Sequence, residues 1–211
     1  MHRIRMLVLA CLLGTVASAA ESTINLEDWR QVGAPVWTFA DGVVTAGPIT
    51  DDEADGQADA GYLVSTSSYG NFRLRIEFWV DDDTNSGIFL RCGEINALSE
   101  ITPDRCYEVN IWDNHPNQDF RTGSIVTLAK PAAKVDTLGR WNRFDIVASG
   151  STIRVTLNGV QTAVLENDRS ASGLIALQCA GKHGLKFRQL EIDVAGDAQD
   201  PGATPADTAT P

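Results

Sequence analysis

Two carboxylates stand inside apolar ladders: Glu77 in FRLRIEFWV (72–80) and Glu108 in YEVNI (107–111). Phe72, Leu74, Ile76, Phe78 and Val80 alternate with Arg73, Arg75, Glu77 and Trp79, the period-2 pattern of a half-buried strand. Tyr107, Val109 and Ile111 alternate in the same way with Glu108, Asn110 and Trp112. Arg91 ends NSGIFLR (85–91), and hairpin-length loops join the three runs, so its strand is expected to lie between the other two. Two carboxylates around a guanidinium suit acid–base work, since the cation lowers one pKa while the neighbouring charge raises the other. The same residues also suit a structural ion-pair ladder on a solvated sheet face. Spacing leaves both open. If Cys92 and Cys106 face each other directly, Leu90 and not Arg91 stands opposite Glu108. Arg91 then joins Glu108 only through a bulge, or if the bridge lies outside the ladder.

Asn110, Trp112 and Asp113 follow Glu108 closely. A sugar site needs an aromatic platform for the C–H face of the ring and planar polar groups for its hydroxyls. Trp112 with Asn110 and Asp113 supplies those groups, and His115, before Pro116, joins them as a candidate substrate contact in the loop. The alternative is that Trp112 packs under a loop and Asp113-Asn114 makes an Asx turn. Other chemistry is absent: there is no G-x-S-x-G, no phosphate-binding loop and no H-E-x-x-H. The acidic runs 50–61 (TDDEADGQADAG) and 81–83 (DDD) lack the ligand spacing of a known calcium loop and read as solvated loops.

The elements that must position these residues are strands. Asp41-Gly42 and Asn158-Gly159 are tight-hairpin signals between apolar runs, and Ser149-Gly150 marks a further turn. Strands are expected at 61–65, 141–148, 152–157, 160–165, 173–178 and 185–194. Trp29 and Trp37 are expected core anchors, and so is Trp141. Outside the first twenty residues no stretch has the pattern of an amphipathic helix. Many short strands separated by turns mean an all-β sandwich or jelly roll.

The chain has 211 residues, enough for one all-β domain. Residues 1–20 combine a basic start, the apolar run MLVLACLLGTVA and Ala17-Ser18-Ala19, which together read as a signal peptide. That run is too short to span a membrane comfortably. The expected organisation is a signal peptide at 1–20, one domain at 21–195, and a disordered tail at 196–211 with no apolar anchor. Export places the protein in the periplasm or outside the cell. Losing Arg3 and Arg5 leaves 15 basic against 28 acidic residues, a net charge of −13. So acidic a chain is a poor partner for nucleic acid or an anionic membrane and suits a neutral ligand. In an oxidising compartment Cys92 and Cys106 are expected to bridge across a short loop, worth roughly 3 kcal/mol. Cys179 reads as a small buried hydrophobe.

NSGIFLR (85–91), YEVNIWDN (107–114), RTGSIV (121–126), GRWNRFDIVASGSTIRVTLNG (139–159) and GLIALQ…LKFRQLEI (173–192) together resemble the 3-keto-disaccharide hydrolase domain family. The resemblance runs from about residue 29 to 194. It implies a concanavalin A-like jelly-roll sandwich of two antiparallel sheets with a carbohydrate ligand, namely a glycoside oxidised at C3. Such a substrate is cleaved by abstraction of the C2 proton, elimination of the C1 substituent and addition of water. That chemistry requires a general base and an oxyanion stabiliser such as a cation or a divalent metal ion. Matched residue by residue, the family's strand acids fall on Glu77, Glu108 and Asp113, and its arginine on Arg91. Asn110 stands where the family often has Gln. Glu108 is the expected base or metal ligand, with Glu77 and Arg91 as its electrostatic partners. An oxidoreductase would have to supply the keto sugar. The competing readings are a non-catalytic carbohydrate-binding module on the same fold, and an ordinary glycosidase with a carboxylate pair.

Overall fold

The computed structural model describes residues 26–33, 37–47, 60–82, 84–180 and 184–194. The stretches expected to be a signal peptide and a tail, His183 and nearly all of the 50–61 run lie outside the described residues. Among the described residues twelve strands are formed: β1 (Trp29–Gly33), β2 (Trp37–Ala40), β3 (Val43–Ala46), β4 (Gly61–Ser65), β5 (Phe72–Val80), β6 (Ser86–Cys92), β7 (Tyr107–Ile111), β8 (Trp141–Ser149), β9 (Thr152–Leu157), β10 (Val160–Glu166), β11 (Leu174–Cys179) and β12 (Leu185–Val194). They make two antiparallel sheets, one ordered β1-β4-β11-β6-β7 and the other β10-β9-β8-β5-β12-β3-β2. The hairpin signals act as expected. Asp41 and Gly42 both take positive φ between β2 and β3, as do Asn158 and Gly159 between β9 and β10, which is what a two-residue turn of that twist requires.

The alternating strands close the sandwich by burying one face each. Phe72, Leu74, Ile76 and Phe78 of β5 pack toward Ile88, Leu90, Tyr107 and Val109 of β6 and β7, all essentially sealed from solvent. Each such side chain stabilises the fold by about 1.5–3 kcal/mol relative to exposure. Phe78 stacks on Phe144 of β8 at 4.9 Å between ring centroids. Trp29, Trp37 and Cys179 join this core, as the sequence predicts, whereas Trp141 stays half-buried with the Arg188 guanidinium 4.0 Å above its ring.

One expectation about topology fails. The three runs of 72–111 do not share a sheet. β5 pairs with β8 and β12 in the seven-stranded sheet, while β6 pairs with β7 and β11 in the five-stranded one. β5 and β6 therefore do not form a hairpin, although they follow each other closely in sequence. Alternation specifies which face of a strand is buried, but not which strand lies beside it.

The outward face of the seven-stranded sheet is an ion-pair ladder. Arg73 meets Asp145 at 2.5 Å, Arg75 meets Asp193 at 2.6 Å and Glu191, and Arg188 meets Glu77 at 2.7 Å. The outward face of the five-stranded sheet differs. Tyr62, Val64, Phe89 and Ala176 form a second apolar cluster with Ile95 and Ile101, which belong to the loop closed by the Cys92–Cys106 disulfide.

Candidate functional site

On β7, Tyr107, Val109 and Ile111 point into the sandwich, so alternation turns Glu108 and Asn110 outward. The register then composes two rows across the outward face. Tyr62 of β4, Gln178 of β11, Gly87 of β6 and Asn110 of β7 make one row. Val64, Ala176, Phe89 and Glu108 make the next. Glu108 leans out of its own row over Gly87: a Cβ on that glycine would lie 3.1 Å from Glu108 Oε1 and 3.3 Å from its Cγ. Glycine at 87 is what gives the carboxylate its place. Among the described residues no hydrogen bond or ion pair reaches that carboxylate, and 8% of the residue is exposed. Burial with no compensating partner pushes its pKa up from 4.5 to about 7.

Beside it, Gln178 Nε2 donates to the Tyr62 hydroxyl at 2.9 Å, and the Tyr62 ring meets the edge of Phe89 at 5.5 Å. The Tyr62 phenol is pushed up to about 12, first by burial and further by the nearby Glu108 charge, with the Gln178 hydrogen bond acting in the opposite direction. Gln178 Oε1 is buried and has no hydrogen-bond partner among the described residues. Sequence reasoning singled out neither Tyr62 nor Gln178. The available signal was Gln178 itself, a polar side chain inside the apolar run LIALQC.

Glu77 and Arg91 are not brought to Glu108. Glu77 lies on the outward face of the other sheet, where Arg188 Nε donates to its Oε2 at 2.7 Å, so the full thickness of the sandwich separates the two carboxylates. Arg91 sits at a register irregularity between β6 and β11, with φ of 49° and its side chain sealed from solvent. Its guanidinium donates to the carbonyls of Gly70 at 2.8 Å, Gly150 at 2.8 Å and Ser170 at 3.1 Å, tying three turns together at one end of the sandwich. In the ladder Phe89 opposes Glu108 and Leu90 opposes Tyr107, so the Cys92–Cys106 bridge lies beyond the paired residues.

The four expected sugar contacts separate as well. Asn110 shares the outward face, but its side-chain amide donates to the Phe120 carbonyl and its Oδ1 accepts from the Ile111 amide at 3.0 Å, which clamps the 118–124 segment to β7. Trp112 is half-buried with its ring against His115 at 4.6 Å, and His115 in turn meets Phe120 at 5.5 Å. Asp113 is buried, accepting from Thr137 N at 2.7 Å and from Thr137 Oγ1 at 3.0 Å, with Arg121 Nη2 at 3.7 Å. It clamps a loop 24 residues away, which is neither the local Asx turn of the alternative reading nor a contact with Glu108. With Arg121, Lys134, Asp136 and Arg140 it lines a separate cavity of about 400 Å³.

Among the described residues no three His, Cys, Asp or Glu side chains come together as a metal centre. At the Glu108 site the oxygens not already bonded within the protein are one carboxylate and the Gln178 amide oxygen. That donor set is small for a hard divalent cation, which takes six or more oxygens.

The profile of the 3-keto-alpha-glucoside-1,2-lyase-like domain matches residues 20–193. The chain belongs to this family. No curated protein matches it. Among solved structures it is similar to a candidate glycosyl hydrolase of Parabacteroides distasonis, with 24% identity, 82% of this chain and 96% of that one covered, and a TM-score of 0.65. It is also similar to the carbohydrate-binding module CBM66 of Bacillus subtilis, at 14% identity, 79% and 95% coverage and a TM-score of 0.57. A galectin-like protein of unknown function from Bacillus subtilis aligns at 10% identity, 82% and 92% coverage and a TM-score of 0.56. At these identities the likenesses bear on fold alone, and the fold is the jelly-roll sandwich that the sequence implied.

Proposed function

We propose that the protein cleaves 3-keto-glycosides, with Glu108 as the base that removes the C2 proton. The observation that carries this reading is Glu108 itself, a carboxylate with no described partner, held over Gly87 and raised to about 7. A ketone at C3 acidifies the C2 hydrogen, and a base acts best when its pKa lies near the working pH. Glu108 takes the proton, and the C–H electron pair moves through C2=C3 onto the ketone oxygen. Return of that pair forms C1=C2 and expels the C1 substituent, whose oxygen takes a proton. Water adds to the resulting enone. The ordinary glycosidase reading calls for a second carboxylate about 5–10 Å away. Glu77, the expected partner, lies on the far sheet. In the same reading the protein is exported to the periplasm or beyond, where the Cys92–Cys106 bridge persists, and an oxidoreductase supplies the keto sugar.

The test is release of the leaving group from a 3-keto-glucoside and from its unoxidised parent, each with and without a chelator. Release from the keto sugar alone is expected, falling at least 100-fold in Glu108→Gln with sugar binding kept. Normal turnover by that variant would refute the assignment of Glu108. Binding of the keto sugar without release, in the unaltered protein, would make this a carbohydrate-binding module.

A further inference from the structure

The hydrogen bond between Tyr62 and Gln178 has a direction. The Gln178 amide nitrogen donates and the Tyr62 oxygen accepts at 2.9 Å, so the phenolic proton is directed elsewhere. Among the described residues nothing receives that proton, and nothing donates to the buried Gln178 Oε1. A donor and an acceptor, both without a complement, therefore sit side by side in the row that contains Gly87, the residue under the Glu108 carboxylate. Buried polar groups are ordinarily satisfied within the protein or by a bound molecule. A ligand with an acceptor and a donor on adjacent atoms would complement the two groups.

We propose that Tyr62 and Gln178 read an α-hydroxy ketone: Tyr62 donates to the ketone oxygen and Gln178 Oε1 accepts from the C4 hydroxyl beside it. The proposal rests on the reading of Glu108 as base and makes Tyr62 a second catalytic residue. As Glu108 removes the C2 proton, the carbonyl π pair settles on the C3 oxygen, and the Tyr62 hydroxyl already faces the developing charge. The phenol shares its proton with that oxygen and keeps it, because the pair returns when the C1–O bond breaks. Gln178 supports the geometry by occupying a Tyr62 lone pair, which leaves the O–H to point toward substrate. The raised value of the phenol, about 12, agrees with a neutral donor at any ordinary working pH.

Tyr62→Phe keeps the ring against Phe89 and removes only the hydroxyl. Removing one oxyanion donor typically costs 10²–10³ in kcat. The experiment follows two readouts with the full chain and a 3-keto-glucoside in D2O: C2–H exchange by NMR, and release of the leaving group. In Tyr62→Phe both rates are expected to fall together by about 100-fold or more, with KM changed less than about tenfold. Gln178→Met leaves the phenol in place and is expected to raise KM for the parent substrate but not for its 4-deoxy analogue. An active wild type with Tyr62→Phe within twofold of it in both rates overturns the Tyr62 role alone. Equal effects of Gln178→Met on parent and 4-deoxy substrates overturn the hydroxyl contact. Absence of both exchange and release in the wild type overturns the Glu108 reading, and the pair's role with it.

Discussion

Replacing Glu108 by glutamine separates what the carboxylate costs the fold from what it does in the reaction. Its pKa is raised by burial from 4.5 to about 7. Between those values an unfolded chain ionises this carboxyl while the folded chain keeps it protonated, so the folded state binds more protons and stability falls as pH rises. The contribution is complete below 4.5 and lost above about 7. At about 1.4 kcal/mol per pH unit, that interval corresponds to roughly 3 kcal/mol. Glutamine has nearly the same shape above Gly87 and is neutral throughout. The variant and the wild type should therefore unfold at similar temperatures near pH 4. At pH 8 the variant should be the more stable by up to roughly 3 kcal/mol, or about 6–12 °C in Tm for a domain of this size. Thermal unfolding at pH 4, 6 and 8, run beside turnover, makes the comparison. A gap between the two proteins that is the same at pH 4 and pH 8 refutes the argument from burial. Turnover should show the complementary profile, rising through about pH 7 as Glu108 ionises, and be missing in the variant at every pH.

Three further substitutions test the surrounding architecture. Gly87→Ala puts a methyl group 3.1 Å from Glu108 Oε1 and should move the carboxylate, lowering kcat about 10–100-fold while Tm changes by only a few degrees; unchanged kcat would mean that the position over Gly87 is unimportant. Arg91→Met strips donors from the carbonyls of Gly70, Gly150 and Ser170 and should destabilise by about 3 kcal/mol or more in urea unfolding, with kcat of the folded fraction unchanged; a selective loss of kcat would return Arg91 to the site. Replacing Cys92 and Cys106 together by serine opens the loop whose ends are separated by 14 residues and should lower stability by roughly 3 kcal/mol; equal unfolding midpoints under oxidising conditions would count against the bridge as a determinant of stability.

The strands and the apolar face of each were legible in the sequence, because a period-2 pattern is a local property of the chain. So were the Asp41-Gly42 and Asn158-Gly159 turns, where two consecutive positive φ values select those residue types. The Cys92–Cys106 pair was legible from its short separation. What was not legible was adjacency. The run DDDTN is as short as many hairpin loops, and nothing in it says that β5 and β6 belong to different sheets. Arg91 was misread for a related reason. It was expected beside Glu108 on condition of a bulge or of a bridge outside the ladder; the irregularity is there, but it turns the residue into the left-handed region and sends the guanidinium to three backbone carbonyls. Tyr62 and Gln178 were missed because they meet Glu108 only through strands β11 and β6 and are distant from it in sequence.

Glu77 and Glu108 make the point most sharply. Each is a glutamate in an apolar ladder with strand neighbours of similar type; spacing alone did not separate them, and only the family resemblance made Glu108 the expected base and Glu77 its partner. Their chemistry separates through what the fold lays beside them. Glu77 stands opposite Arg143 and Arg188 and receives a hydrogen bond from Arg188 at 2.7 Å, the arrangement of a half-buried surface pair worth about 1 kcal/mol. Glu108 stands opposite Phe89 and leans over Gly87, with an aromatic ring and an absent side chain where a cation would otherwise be. The neighbours that stabilise the charge of Glu77 make it structural. Their absence around Glu108 destabilises its charge and favours the protonated form, which is what the proposed role of base requires.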